Sequence, residues 1–538
     1  MSSDSLTELE NKVYTHLFTI RPDYAIFLGL HDYDGLLPQF SAESVENWTL
    51  KAKDLVEQLK QTDTAGFDER RSLDRELLVM LLEKTLFDFQ DLHIHTEDPI
   101  TYSSSLNVQT YIAREYAPAE QRAKAVIKHL KAIPNFLQTA RKNLSQTLPK
   151  PHIKVSIEIL KGTPVNFHEA ERLLETVPGE LRREFEEAES AAVKAIEGFS
   201  KSLEEEYLPR AKEDFALGSE KLARLLWVNE RIETPLQEIL EVGMRDTEEN
   251  KKELLELVGQ IDSAKSPQEV LTQIALAHST AESLIKDTSD LLEELRQYVI
   301  DQDLVSIPSE ERCKVTETPS FARGIFTAAM DSPGPFETGS KQALYYVTPV
   351  DPSWSKERQE EWLRYLNTVS LKAISIHEAY PGHYVQFLHL RHLKTRASKT
   401  FFSYAFVEGW AHYCEEMLLQ EKYGAGDLNL KLAQLKAALV RDCRYVCSIK
   451  MHTRQITLEQ ATQFFVENAF MESLPAEREA LRGTFDPGYY SYTLGKIFIK
   501  KAKEKYLSNH PNTRLKEFHD GLLSLGSPPV GLLEKLIP

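Results

Sequence analysis

Cysteine is scarce in this chain, with four residues in 538, and that scarcity excludes a disulfide scaffold. Cys443 and Cys447 stand at i and i+4, a spacing that lets two thiols face one another or a metal, but no second pair lies near them; Cys313 and Cys414 read as buried thiols. Positive charge is also in deficit. The 64 Lys and Arg against 82 Asp and Glu leave a formal net charge of −18, and no basic cluster interrupts the acidity, so a phosphate backbone would be repelled rather than held. Acidity of this kind favours solubility rather than specificity. Long apolar runs are missing as well. The first thirty residues contain no basic segment followed by an apolar one, and no later stretch is long enough in apolar residues to cross a bilayer. Internal repeats and low-complexity tracts are absent. These absences predict a cytoplasmic protein with no nucleic-acid and no membrane partner.

What is present suits a large enzyme. A hydrophobic content of 42% over this length buries a sizeable core and permits more than one domain. From residue 1 to about 300 the chain reads as helix after helix, as in "SLDRELLVMLLEKTLFDFQDL" and "LLETVPGELRREFEEAESAAVKAIEGFSKSLEEEYL", with apolar positions recurring at three and four. "PGE" at 178–180 and "KSPQEV" at 265–270 are helix starts. Heptads are not sustained and prolines interrupt them, which argues against a coiled-coil scaffold. Between 301 and 352 the texture changes: "SFARGIFTAAMDSPGPFETGSKQALYYVTPVDP" reads as short strands and loops. "ALYYVTP", 343–349, is the candidate for an edge strand to which an extended peptide adds; a plain structural hairpin is the alternative.

The chemistry gathers in the second half. "AISIHEAYPGHYVQ", 373–386, places a Glu after His377 and a second histidine, His383, six positions on. In HExxH zinc sites the histidines stand four apart on one helical face. At roughly 100° per residue, His383 in a regular helix would point about 120° away from His377. Pro381 resolves this: it has no N–H for the carbonyl of His377 and its ring collides with that carbonyl, while Tyr380 before it is pushed from helical angles and Gly382 after it tolerates any detour. The helix is therefore expected to break after Glu378 and to resume with His383 facing His377. A third ligand is sought in "FVEGWAHYCEEML", 406–418, where Glu408, His412 and Glu415 share a helical face. Glu408 is the choice, since a carboxylate from a second helix commonly completes two histidines. His412 is the alternative ligand, and Glu415 is a candidate to orient a ligand histidine.

"HEAYPGHYVQ" followed by "VEGWAHYCEE" resembles the bacterial family catalogued as domain of unknown function 885, whose members look like zinc-dependent peptidases with a His, His, Glu (gluzincin-type) site. The resemblance continues in "RPDYAIFLGLHDYDGLLPQFS" near the start and in "CSIKMHTRQITLEQATQFF" and "TFDPGYYSYTLGK" near the end. It implies His377, His383 and Glu408 as metal ligands and Glu378 as general base. This chain departs from the family where members often have an aspartate near Ser448 and an Arg-Tyr pair at Arg482-Gly483.

An oxyanion donor is also required. Tyr489, Tyr490 and Tyr492 follow a glycine turn in "DPGYYSYTLGK", 486–496, and the resemblance favours Tyr492, then Tyr489; His452 is a further donor candidate, and Arg482 is a candidate to bind a substrate carboxylate in bidentate fashion. The sequence reading is thus a mainly α, two-lobed metallopeptidase-like fold with a helical lobe at 1–300, a catalytic lobe at 301–538, a small β element beside the metal helix and a deep central cleft. Its function would be zinc-dependent peptide hydrolysis, with one Zn2+ per chain (manganese and iron remaining open) and a peptide or small amide as substrate. Two alternatives stand: a helical protein that binds metal or peptide without turnover, and a hydrolase of non-peptide amides. Glu378 favours turnover, because a pure binding site has no use for a base beside its first ligand.

Overall fold

In a computed structural model, residues 3–319, 323 and 327–537 are described. The chain packs into two compact units. The first comprises the residues up to Phe215 together with Pro333–Lys341 and Thr395–Phe401; the second comprises the remainder. Helices dominate both, as the three-and-four periodicity predicts, and no helix among the described residues is long and apolar enough to cross a membrane.

In the first unit, α1 (Ser3–Ile20), α2 (Ala42–Lys60) and α3 (Glu69–Gln90) pack on one another, and α4 (Ala119–Asn143) lies along α6 (Gly179–Ser202), with α5 (Lys150–Glu169) against α6. Aromatic side chains join these layers: Trp48 and Phe40 each meet Phe89 edge to face, at 5.6 and 5.8 Å between ring centroids. The start at "PGE" is seen as Pro178 preceding Gly179 of α6. In the second unit "KSPQEV" opens the helix Pro267–Ile274 with a capping box, Ser266 accepting from the Glu269 N–H while Glu269 accepts from that of Ser266.

The second unit contains α7 (Leu236–Ile261), the three strands β1 (Lys314–Glu317), β2 (Ala328–Asp331) and β3 (Leu344–Val347), and then α8 (Thr368–Glu378), α9 (His383–His392), α10 (Tyr404–Gln420), α11 (Leu428–His452), α12 (Ser473–Phe485) and α13 (Ser491–Asn509). The sheet order is β1-β3-β2, with β1 parallel to β3 (Val315 opposite Tyr345) and β2 antiparallel to it (Met330 opposite Tyr345). This corrects the edge-strand expectation for 343–349. β3 is the central strand, for a physical reason: "LYYV" is apolar at consecutive positions, and Tyr345 and Val347 on one face and Tyr346 on the other are all buried, the pattern of a strand covered on both faces. The half-buried β2 takes the edge and packs beside α8. Part of the glycine-containing run before it, 320–322 and 324–326, lies outside the described residues.

Three contacts fix α10, which carries the candidate third ligand. The buried Glu230 carboxylate sits at its N-terminus, accepting from Ser403 Oγ at 2.6 Å and from the Ala405 N–H at 3.2 Å, where a helix's unpaired N–H groups favour negative charge. α10 and α13 cross at paired glycines. A Cβ built on Gly409 would stand 2.4 Å from Gly495 Cα, and one on Gly495 only 1.8 Å from the Ala405 carbonyl oxygen, both of them backbone atoms that cannot swing aside. Gly495→Ala is therefore expected to push the helices apart and destabilise the chain by about 1–3 kcal/mol, the usual cost of overpacking. Urea denaturation of the variant against the wild type checks this, with an unchanged midpoint counting against the close crossing.

Candidate metal centre

The helix break that the spacing demands is present. The last regular bond of α8 is Ala379 N–H to the Ser375 carbonyl at 2.9 Å, Pro381 follows, and Gly382 N–H turns back to the Ile376 carbonyl at 3.1 Å before α9 begins at His383. Gly382 lies so tightly on the end of α8 that a Cβ there would be 1.8 Å from the His377 carbonyl oxygen, which no L side chain could occupy. From α10, the Trp410 indole N–H donates to the carbonyl of Pro381 at 3.0 Å and lies 3.3 Å from that of Gly382, tying the turn to the helix of the third ligand. Two residues of detour thus bring the His377 and His383 rings to 4.7 Å between centroids, nearly perpendicular at 84°.

Glu408 meets both. Its Oε2 lies 3.4 Å from His377 Nε2 and 3.5 Å from His383 Nε2, and the three donor atoms all fall within 4.8 Å of one another. All three side chains are buried. Glu408 Oε2 makes no hydrogen bond, an unusual state for a buried carboxylate oxygen and one that a cation held among the three atoms relieves. Two imidazole nitrogens and one carboxylate oxygen are the donor set of a zinc site that keeps a position open, so the residues fit the ion. Without it, burial alone would push the Glu408 carboxyl up, but the two imidazoles outweigh burial and hold it well below the usual range. Burial and the Arg441 guanidinium oppose a proton on His377, yet Glu408 and Glu415 prevail and push it up to about 9.

A second carboxylate stands behind the first histidine. Glu415 Oε1 accepts from His377 Nδ1 at 2.7 Å and from Arg441 Nη2 at 2.9 Å. With an ion bound, this carboxylate would keep the imidazole proton on Nδ1 and leave Nε2 to ligate. His412, the alternative ligand, is fully buried with Nδ1 3.6 Å from Glu415 Oε2; burial and then Lys496 lower its pKa to about 4. It backs Glu415, and Glu408 is the member of the helical stripe that reaches the two histidines. The carboxylate of Glu378, next in the chain to His377, is outside the triad: its Oε2 accepts the Met330 N–H of β2 at 2.9 Å.

The remaining candidates separate. The Tyr492 ring lies 6.4 Å from that of His377, 6.4 Å edge to face from Tyr404, and beneath the guanidinium groups of Arg441, Arg444 and Arg482 at 5.7, 5.0 and 6.0 Å. Burial and Glu408 keep its phenol protonated against the pull of the arginines, so it is a donor at this site. Tyr489 is fully buried elsewhere in the packing, its hydroxyl without a hydrogen-bond partner and held where a Cβ on Gly483 would stand 2.2 Å away. Gly483 thus leaves room for Tyr489. The expectation that His452 is an oxyanion donor is corrected: its Nε2–H donates to the Gly483 carbonyl at 2.8 Å and its Nδ1 accepts the Leu217 N–H at 3.3 Å, so both nitrogens are committed to backbone. Arg482 donates through Nε and Nη2 to Asp486. The four cysteines are all free and buried, and Cys443 and Cys447 face the carbonyls of Phe464 and Ala461 rather than each other or a metal. The sequence reading missed Arg441, Tyr404 and the Met330 N–H. Only Tyr404, one helical turn before Glu408, carried a local signal, the i, i+4 spacing.

The purified chain is expected to hold one zinc ion under zinc-replete conditions and to lose it on His383→Ala. Glu415→Gln should retain the ion with about 10–100-fold weaker affinity, the usual worth of an orienting carboxylate. Elemental analysis with chelator competition checks both; zinc-free wild-type protein would remove the site.

The chain was compared with known proteins. No curated protein matches it. Among solved structures, "a putative lipoprotein of unknown function" from Shewanella oneidensis is 23% identical with a TM-score of 0.83, covering 99% of each chain. The "putative lipoprotein" from Colwellia psychrerythraea is 17% identical with a TM-score of 0.85, covering 100% of this chain and 99% of the other. At these identities the likeness establishes a shared fold. A family model matches residues 22–537, and the chain belongs to that family, described as bacterial protein of unknown function (DUF885).

Proposed function

We propose that this protein is a zinc-dependent hydrolase of peptide bonds, with His377, His383 and Glu408 holding the ion. The observation that carries the reading is Glu378. A carboxylate next in the chain to His377, outside the triad and held by one backbone N–H at 2.9 Å, supports the reading of a proton carrier rather than a ligand. When bound, zinc polarises the scissile carbonyl and acidifies water. Manganese or iron would meet the same donors.

The chain's own residues do the rest. Glu378 removes a proton from the attacking water and returns it to the leaving amine. The Met330 N–H holds that carboxylate in one orientation. Tyr492 donates its hydroxyl proton to the oxygen that becomes negative as the carbonyl turns tetrahedral. The edge of β2, rather than 343–349, runs beside α8 and offers main-chain groups to an extended substrate, so a peptide suits the site better than a compact amide.

Glu378→Gln keeps shape and one hydrogen bond but removes the base. Metal content should stay near one ion per chain while cleavage of a peptide-library substrate falls by roughly 10²–10⁴. Full activity in this variant would overturn the role of Glu378. A metal-loaded wild type that binds peptides and cleaves none would make the site a binding module.

A further inference from the structure

Three arginines surround Tyr492, and two of them are largely buried against carboxylates. Arg444 engages both oxygens of Glu479, through Nε at 2.8 Å and Nη2 at 2.7 Å, and Arg441 is held on Glu415 at 2.9 Å; their side chains are only 15% and 14% exposed. Arg482 differs. Its Nε and Nη2 both reach a single oxygen, Asp486 Oδ2, at 3.0 and 2.9 Å, and its side chain is 30% exposed. Nη1 therefore has no carboxylate, while Asp486 holds the guanidinium side-on and fixes its plane. Tyr404, edge to face with Tyr492, is itself exposed, so solvent reaches this flank of the metal site. A permanently charged guanidinium held on a single carboxylate oxygen and reached by solvent is suited to a planar carboxylate.

We infer that Arg482 binds the terminal carboxylate of the substrate and that cleavage falls close to the carboxyl end of a peptide. The inference rests on reading the His377, His383 and Glu408 cluster as the reacting centre. Distance sets the register. Arg482 lies 6.0 Å from the Tyr492 ring and that ring 6.4 Å from His377, so the guanidinium is at most about 12 Å from the first imidazole; an extended chain covers about 3.3–3.6 Å per residue, which places the scissile bond within about three residues of the terminus.

The test uses the zinc-loaded full-length chain and pairs of short peptides identical except for a free carboxylate or an amide at the C-terminus. Cleavage sites are read by mass spectrometry, and affinity is measured by calorimetry on the Glu378→Gln chain. The acids are expected to be cut within three residues of the end and to bind about 10–100-fold more tightly than the amides, the worth of hydrogen bonds to a charged group. Arg482→Met should bring that ratio to about one, and Arg482→Lys, which keeps the charge without the fork, should leave it intermediate. Equal binding of acid and amide overturns the inference, as do cuts distributed along the interior or a ratio unaltered in Arg482→Met. Acid-selective binding that depends on Arg482, without any cleavage, keeps the carboxylate site and overturns the hydrolase reading instead.

Discussion

The burial of the Glu408 carboxylate is the constraint around which the site is arranged. An ionised carboxylate taken from water costs several kcal/mol unless charge is supplied to it, and Glu408 Oε2 receives no hydrogen bond to help. Compensation comes from the two imidazoles at 3.4 and 3.5 Å. The arrangement then propagates: a histidine drawn towards Glu408 is steadied on its far nitrogen by Glu415, and Glu415, itself buried, is balanced by Arg441. Charges of alternating sign thus run from the centre into α11. Burial first, then the nearby Lys496 and Arg441, outweigh the pull of Glu415 and keep His412 neutral.

Holding that file of charges in register requires stiff supports. α10 carries Glu408, Trp410, His412 and Glu415 on one rod, so anything that fixes the rod fixes the candidate ligand, the carboxylate behind His377 and the turn between the histidines together. Glu230 at its N-terminus, the glycine crossing with α13 and the Trp410 bond to Pro381 act at three separate points along it. A site built on helices pinned in this way keeps its geometry better than one on loops. The Met330 N–H, on an edge strand, reaches Glu378 from outside the helices. That contact joins the Glu378 carboxylate to β2.

Much of this was legible locally. Apolar spacing announced the helices, and the shift to glycines, prolines and β-branched residues after 301 announced strands, all three of which fall there. The strand order was not legible, because a four-residue apolar run reads alike for an edge and a centre until its partners are known; burial on both faces made β3 central. Tyr492 and His452 were equal candidates by residue type. Packing separated them, placing one against His377 and closing the other between Leu217 and Gly483, 235 and 31 positions away in the chain.

The sequence by itself determined the break after Glu378, the two histidines it turns towards each other, and the carboxylate stripe on α10. Each of these follows from backbone rules acting within a few residues: proline cannot donate, glycine tolerates close approach, and positions three and four apart share a helical face. Tertiary structure alone decided that Glu408 rather than His412 completes the cluster, that Arg441 balances Glu415, and that Met330 holds Glu378. Those outcomes depend on the rotation and separation of whole elements, and these are set by distant contacts such as the Gly409–Gly495 crossing, which no local pattern in the chain encodes.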